Sequence, residues 1–160
     1  MLTQARLKAV FFYDPVVGVF IRRLKQLGAK VGNISGSRSS DGYLTTSIDG
    51  KPHKCHRLAW LYMTGNWPCY EIDHIDGDRA NNKFSNLRDI PKWANVQNQR
   101  KAQKSNRSTG VLGIFPNGNR FSARLSVNNK KVYLGIFSTK EEAHQAYLTA
   151  KRALHVGCTI

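Results

Sequence analysis

The stretch YEIDHIDGDRANNKFSNLRDIPKWANVQNQR, residues 70–100, decides how the chain is read. Apolar and polar residues alternate over 70–75, the period of a half-buried strand, and this places Asp73 and His74 side by side near the strand's end. Gly77, Asp78, Asn81 and Asn82 follow. Glycine tolerates positive φ and Asp or Asn bond their own backbone, so a loop is expected there. A second strand is expected over 86–90, beginning at Asn86. Pro91 suits the first turn of a helix, which is expected to run to about Lys101 with Asn95 in its early turns.

A strand-loop-strand-helix order of this kind would bring Asp73 and Asn95 together as two hard oxygen ligands for a divalent ion, leaving other positions to water and phosphate, with His74 facing the attacking water. An Asp-His pair in an Asn-rich loop is, on its own, what an ordinary solvated turn contains. The whole set, Asp73-His74, then Asn86, then Asn95, resembles the ββα-metal site of the HNH nuclease family, in the variant whose last His is replaced by Asn. The resemblance implies a general base at His74, metal ligands at Asp73 and Asn95, and an Asn86 that completes the catalytic set by tying the loop to the second strand. Mg²⁺ is the expected ion and Mn²⁺ its substitute, because the ligands are oxygens. Asp76 and Asp78 read as loop-formers.

Composition agrees with a polyanion as partner. The 160 residues hold 25 Lys+Arg against 10 Asp+Glu, a formal charge of +15 that concentrates nucleic acid at the surface. No wide apolar helix face or lipid-anchor motif accompanies the charge, so a membrane partner is not expected. Cys55, Cys69 and Cys158 are odd in number and widely spaced, which suits a reducing cytoplasm rather than a disulfide framework. His53, Cys55, His56 and Cys69 lack zinc-ligand spacing. The apolar run at 9–12 is too short for a signal-peptide core.

Upstream of the decisive stretch, strands are expected at 9–13, 19–24 and 43–48. Residues 32–42 form a Ser/Gly-rich loop whose Arg38 either approaches a phosphate backbone or lies on a plain surface. Asp49-Gly50 is a two-residue hairpin signal pairing 43–48 with 51–55. Residues 56–65 carry Leu58, Leu61 and Tyr62 on one helical face, with Gly65 as the stop. Segments similar to His56-Arg57-Leu58-Ala59-Trp60 precede the Asp-His strand in the same family, which implies a helix packed on the hairpin. His56 is read as structural, with a phosphate contact as the alternative.

Downstream, 103–110 is polar and reads as a linker. Strands are expected at 113–115, 121–127 and 131–137, separated by Asn117-Gly118-Asn119 and Asn128-Asn129, and a capped helix follows from Ser138-Thr139 to about His155. Its apolar stripe is Ala143, Ala146, Tyr147, Ala150 and Leu154. The sheet's solvent face is expected to carry Arg120, Arg124, Lys130 and Lys131 toward a major groove. Gly110-Val111, Phe121-Ser122-Ala123, 133–137, 138–143 and Ala146-Tyr147 with Ala150 resemble the AP2 DNA-binding domain. Phe121 stands where that family often has Trp, and Ile114-Phe115 where Arg-bearing readers occur, so base preference does not carry over.

The expected class is therefore α+β: a β-rich N-terminal region leading into a ββα-metal HNH core, followed by a three-stranded antiparallel sheet packed on one helix. The expected domains are a nuclease at 1–102 (lead-in 1–54, core about 55–102), a linker at 103–110 and an AP2-like domain at 111–160. The two resemblances imply a free-standing endonuclease like those of phage and homing systems, acting on double-stranded DNA in the cytoplasm, of a bacterial host if phage-encoded. Arg38, Arg57, Arg100, Lys101, Arg120, Arg124, Lys130 and Lys131 are the candidate DNA contacts. No protein partner is evident, and the chain acts as a monomer or as a dimer on DNA. A catalytically inactive DNA-binding regulator on the same scaffold is the alternative. An RNA-binding protein fits the charge but lacks an aromatic RNP signature or a GXXG clamp.

Overall fold

The computed structural model describes residues 1–25, 30–100, 102, 106 and 108–159, in two compact units, Met1–Pro91 and Lys92–Ile160. The first opens with a helix, α1 (Gln4–Val10), where a strand was expected from residue 9. Thr3 caps it through its side chain, and Leu7 and Val10, three residues apart, are its buried positions. The apolar run at 9–12 straddles the end of this helix and the start of β1 (Phe11–Asp14), so only its second half is strand. β1 pairs with β2 (Val19–Arg22), which also pairs with β3 (Ile34–Ser35). β4 (Ser37–Arg38), β5 (Leu44–Ile48) and β6 (Lys51–Lys54) make a second antiparallel sheet. Asp49 and Gly50 both take positive φ, as their tight hairpin requires.

α2 (Cys55–Thr64) stops at Gly65, whose φ of 81° is left-handed. It buries Leu58, Ala59 and Leu61 in a core shared with Leu7, Phe11, Tyr13, Phe20, Ile48 and, from the decisive hairpin, Ile72 and Leu87. That hairpin is β7 (Glu71–His74) and β8 (Leu87–Ile90), paired antiparallel with Asp73 opposite Arg88 and His74 opposite Leu87. Asn86 closes a 3₁₀ turn just ahead of β8 instead of beginning the strand.

In the second unit α3 (Lys92–Gln97) is shorter than the helix expected to reach Lys101, and Lys101 lies outside the described residues, as does part of the expected linker. α3 packs on the C-terminal segment. The Gly157 N–H donates to Gln97 Oε1 at 2.9 Å, Arg100 donates to Thr159, and a Cβ on Gly157 would run into the Ala94 backbone. β9 (Ile114–Asn117), β10 (Arg120–Val127) and β11 (Lys130–Phe137) form an antiparallel sheet in the order β11-β10-β9. α4 (Lys140–Leu154) begins in a reciprocal capping box between Thr139 and Glu142. Its Ala143 and Tyr147 meet Ile114, Ala123 and Leu125 in the unit's core. The stripe departs from expectation at its end, where Lys151 is buried and Leu154 is 45% exposed.

Strand alternation also corrects the basic face. Residues 121, 123, 125 and 127 point to the helix side, so Arg120 and Arg124 share the open face, and Lys131, opposite Ser126, joins them. Lys130 pairs with Val127 and falls on the helix side, because consecutive strand residues cannot share a face. Among the described residues no helix is long and apolar enough to cross a membrane.

Candidate functional site

Asp73 and His74 end β7 with 6% and 4% of their surfaces exposed. Neighbouring strand residues point to opposite faces, so one position is fixed from each side of the hairpin. Asp73 receives the Arg88 guanidinium across the pair, Nε at 2.8 Å and Nη2 at 2.7 Å, both on Oδ2. His74 lies against two other rings: His56 edge-on with centroids 5.1 Å apart, and Tyr43 at 5.8 Å. Tyr43 in turn faces Lys54 Nζ at 4.0 Å and the Arg79 guanidinium at 4.9 Å. The imidazole is thus walled by aromatic surface, and Tyr43 also carries two cations over its ring.

The loop between the strands is held by asparagines. Asn86 accepts from the Asp76 N–H at 3.0 Å and donates to Asp76 Oδ1 and to the Asn81 carbonyl, each at 2.9 Å. Asp76 also accepts from the Asn81 side chain at 2.6 Å and the Asp78 N–H at 2.8 Å. These bonds outweigh the opposing effect of partial burial and hold the Asp76 carboxyl below its ordinary range. Asp76 and Asp78 are exposed.

Asn82 was read in the sequence only as a turn former, yet it is 1% exposed and its Oδ1 lies 3.3 Å from His74 Nε2. Its carbonyl accepts from the Tyr13 hydroxyl at 2.6 Å, and Phe84 N–H bonds Pro15 O at 3.0 Å. Gly18, at φ +82°, lets the β1–β2 turn approach so closely that a Cβ would meet the backbone of Asn82 and Lys83. The N-terminal hairpin therefore braces the site loop from behind. Arg88 was missed as well, though its opposite charge in register with Asp73 was readable once the hairpin was drawn.

Burial is the main cause that lowers the His74 pKa, against the raising effects of Asn82 and the carboxylates of Asp76, Asp73 and Asp78. His56 falls further, to about 3, through burial and then the proximity of His74, Lys54 and Arg57. Both imidazoles are neutral at pH 7. A folded-state value below the unfolded 6.5 means that the unfolded chain binds the extra proton first, so stability is full above pH 6.5 and is lost as pH falls toward about 3. The first unit is expected to melt at progressively lower temperature between pH 7 and pH 4, and His56→Phe to flatten that decline. An unchanged acid slope in the variant would show that His56 is not the group responsible.

The remaining candidates are spread over both units. Arg38 is exposed on β4, with Asp78 Oδ1 3.9 Å from its Nη2, and Arg57 stacks on Trp67 at 5.7 Å. Asn95 is half-buried on α3, in the second unit, with Arg100 just beyond that helix. Arg120, Arg124, Lys130 and Lys131 are all exposed on the sheet of that unit.

Residues 53–97 match the family model described as HNH endonuclease, a span that runs from β6 into α3 and contains the whole β7–β8 hairpin. This stretch carries an HNH domain of the nuclease kind. No curated protein and no solved structure gives a significant match to the chain.

Proposed function

We propose that the chain is a metal-dependent DNA endonuclease of the homing type that nicks one strand, with a nuclease domain at 1–102 and an AP2-like part at 111–160 that supplies DNA binding and site choice. The observation that carries it is the coincidence of the 53–97 match with a hairpin end where Asp73 and His74 are adjacent, buried and braced. His74 is the general base: its neutral ring takes the proton of the attacking water. Asn82 and Asn86 are positioning residues, the first against the ring and the second through the loop.

Among the described residues no three His, Cys, Asp or Glu gather into a cluster, so a soft or all-protein cage is not on offer. One buried carboxylate, Asp73, fits a hard divalent ion that keeps water and phosphate among its ligands, and Asn95 is proposed as a further ligand on the sequence resemblance alone. Mg²⁺ is that ion, with Mn²⁺ as substitute, and when bound it supplies charge stabilisation at the phosphate and the leaving oxygen. Arg88 holds the Asp73 carboxylate in place through its Nε and Nη2 contacts to Oδ2. The reaction belongs to a reducing cytoplasm, which the three unpaired cysteines suit.

One His74 addresses one phosphodiester, and the strands of a duplex run antiparallel, so a monomer is expected to nick. Supercoiled plasmid at limiting protein should accumulate open circles well before linear DNA with Mg²⁺, and remain intact in EDTA. Linear product without a circular intermediate would point to a dimer on DNA. Tight plasmid binding with no cleavage under any divalent ion would favour the DNA-binding regulator instead.

A further inference from the structure

The second unit contains a groove whose aromatic lining, Trp93 and Phe115, the nuclease reading leaves unused. It is bounded by α3, by residues of the sheet around 124–126 and by the C-terminal half of α4, and has a volume of about 760 Å³, within the range of small-ligand sites. Trp93 and Val96 from α3 and Phe115 from β9 line it, and they leave 59%, 59% and 43% of their surfaces to solvent. Ala94, between the first two, is the α3 residue buried against the unit. The exposed rings are therefore not what holds the helix in place. Contiguous apolar surface of this kind marks a binding face.

The chemistry of the walls selects the occupant. Arg124 holds its guanidinium 5.4 Å from the Phe115 ring centroid, and Lys131 lies on the same face. Lys151, 1% exposed, is among the lining residues and donates from its side-chain nitrogen to the Gln99 carbonyl. The described lining has three such cations and no Asp or Glu, so it favours an anion. Asn128 and Asn129 line it too and offer amide donors and acceptors. Flat apolar rings, cations and amides together match the base, phosphate and base edge of a nucleotide. A duplex keeps the faces of its bases covered by stacking and cannot lay one on Trp93 or Phe115, whereas an unpaired nucleotide can do so.

We propose that this groove binds unpaired nucleotides of single-stranded DNA, stacking a base on Trp93 or Phe115 and holding its phosphate at Arg124 and Lys131. The inference goes beyond the nuclease reading and needs neither a metal nor His74, although the choice of DNA over another polyanion rests on the HNH match. Such a groove would let the protein hold strand ends or unwound DNA independently of cutting.

The test uses the full chain in EDTA, titrated with an oligodeoxythymidylate of about eight nucleotides, while tryptophan fluorescence and the anisotropy of a labelled oligonucleotide are followed. Binding should quench fluorescence, and Trp93→Ala should remove most of the quench and weaken affinity about tenfold. Phe115→Ala should weaken it similarly, and Lys131→Ala should flatten the salt dependence by roughly one contact. Both aromatic side chains are exposed and lie outside the unit's core, so the melting transition should be kept; Arg124→Gln provides a variant that leaves the aromatic lining intact. Wild-type affinity in Trp93→Ala, Phe115→Ala and Arg124→Gln would overturn the proposal. So would an acidic aromatic peptide that displaces the oligonucleotide at lower concentration, or a blunt duplex whose binding depends on Trp93 as strongly. Plasmid cleavage by Trp93→Ala and Phe115→Ala with Mg²⁺ separates the two readings: lost oligonucleotide binding with cleavage retained leaves the nuclease intact, and the converse leaves the groove intact.

Discussion

His74→Ala is expected to reduce plasmid cleavage by about 10²- to 10⁴-fold while leaving DNA affinity within a small factor of wild type, because a general base acts on the chemical step and not on phosphate contacts. The substitution empties a site walled by Tyr43 and His56 and removes the partner of Asn82 Oδ1, so some stability is lost with the activity. Thermal melts at pH 7 separate the two effects. The cavity also permits a sharper readout, since imidazole added to the buffer can enter it and accept the proton in place of the missing side chain. Partial rescue by imidazole, but not by an equal concentration of a non-basic azole, is the expected result. A variant that cuts at the wild-type rate would remove His74 from the reaction. Asn82→Ala tests the positioning role: cleavage should fall by less than in His74→Ala, and imidazole should not restore it, because the ring is present but no longer held.

The parts of this site that the sequence disclosed are those encoded over short distances. Alternation over 70–75, the Gly and Asn of the loop and the returning strand place Asp73 and His74 at a hairpin end, and β7 and β8 lie there. Asp49-Gly50, Asn128-Asn129 and the Thr139–Glu142 capping box are likewise local, each a matter of two to four residues whose conformational preferences agree with the turn they make. The second unit's sheet and helix followed from the same kind of signal.

What stayed hidden depends on contacts far apart in sequence. Gly18 and Tyr13 meet residues 82 and 83, and nothing in residues 1–50 announces that a hairpin there braces the loop behind His74. Asn82 reads as one more turn asparagine until its burial and its contact with the imidazole are seen. The α1 helix was missed for a different reason: Thr3, Leu7 and Val10 carry a cap and a helical spacing, but the β-rich run of 9–12 outweighed seven residues of weak pattern. Lys151 was hidden because a lysine on a helix is normally solvated, and only the tertiary arrangement supplies the Gln99 carbonyl that receives its ammonium. Asn95 is the hardest case. Its helix begins where the hairpin ends, yet it groups with the second unit through the C-terminal contacts of Gln97 and Arg100, which no local pattern encodes.

Asp73→Ala should fail on two counts, and separating them decides what Asp73 is for. Its carboxylate is 7% exposed and paired with an Arg88 side chain that is 25% exposed, so removing it strands a largely buried cation; a loss of about 3 kcal/mol is expected, the low end for a broken buried pair because Arg88 keeps some solvent. If Asp73 served only to neutralise Arg88, the double variant Asp73→Ala with Arg88→Ala would remove both charges, recover much of that stability and cut DNA with wild-type metal dependence. A ligand role predicts otherwise. The double variant should recover stability, since coupling between paired residues makes the two single losses non-additive, but it should still need a far higher Mg²⁺ or Mn²⁺ concentration for any residual cutting. Arg88→Ala alone supplies the converse: it destabilises the hairpin and leaves the carboxylate in place, so its metal response should stay closer to wild type than that of either variant lacking Asp73. Chemical denaturation and a metal titration of plasmid cleavage, run on all four proteins, measure both axes. Matching metal dependence across the set would reduce Asp73 to an ion-pair partner, and the hard-oxygen site would then have to be sought elsewhere in the 53–97 stretch.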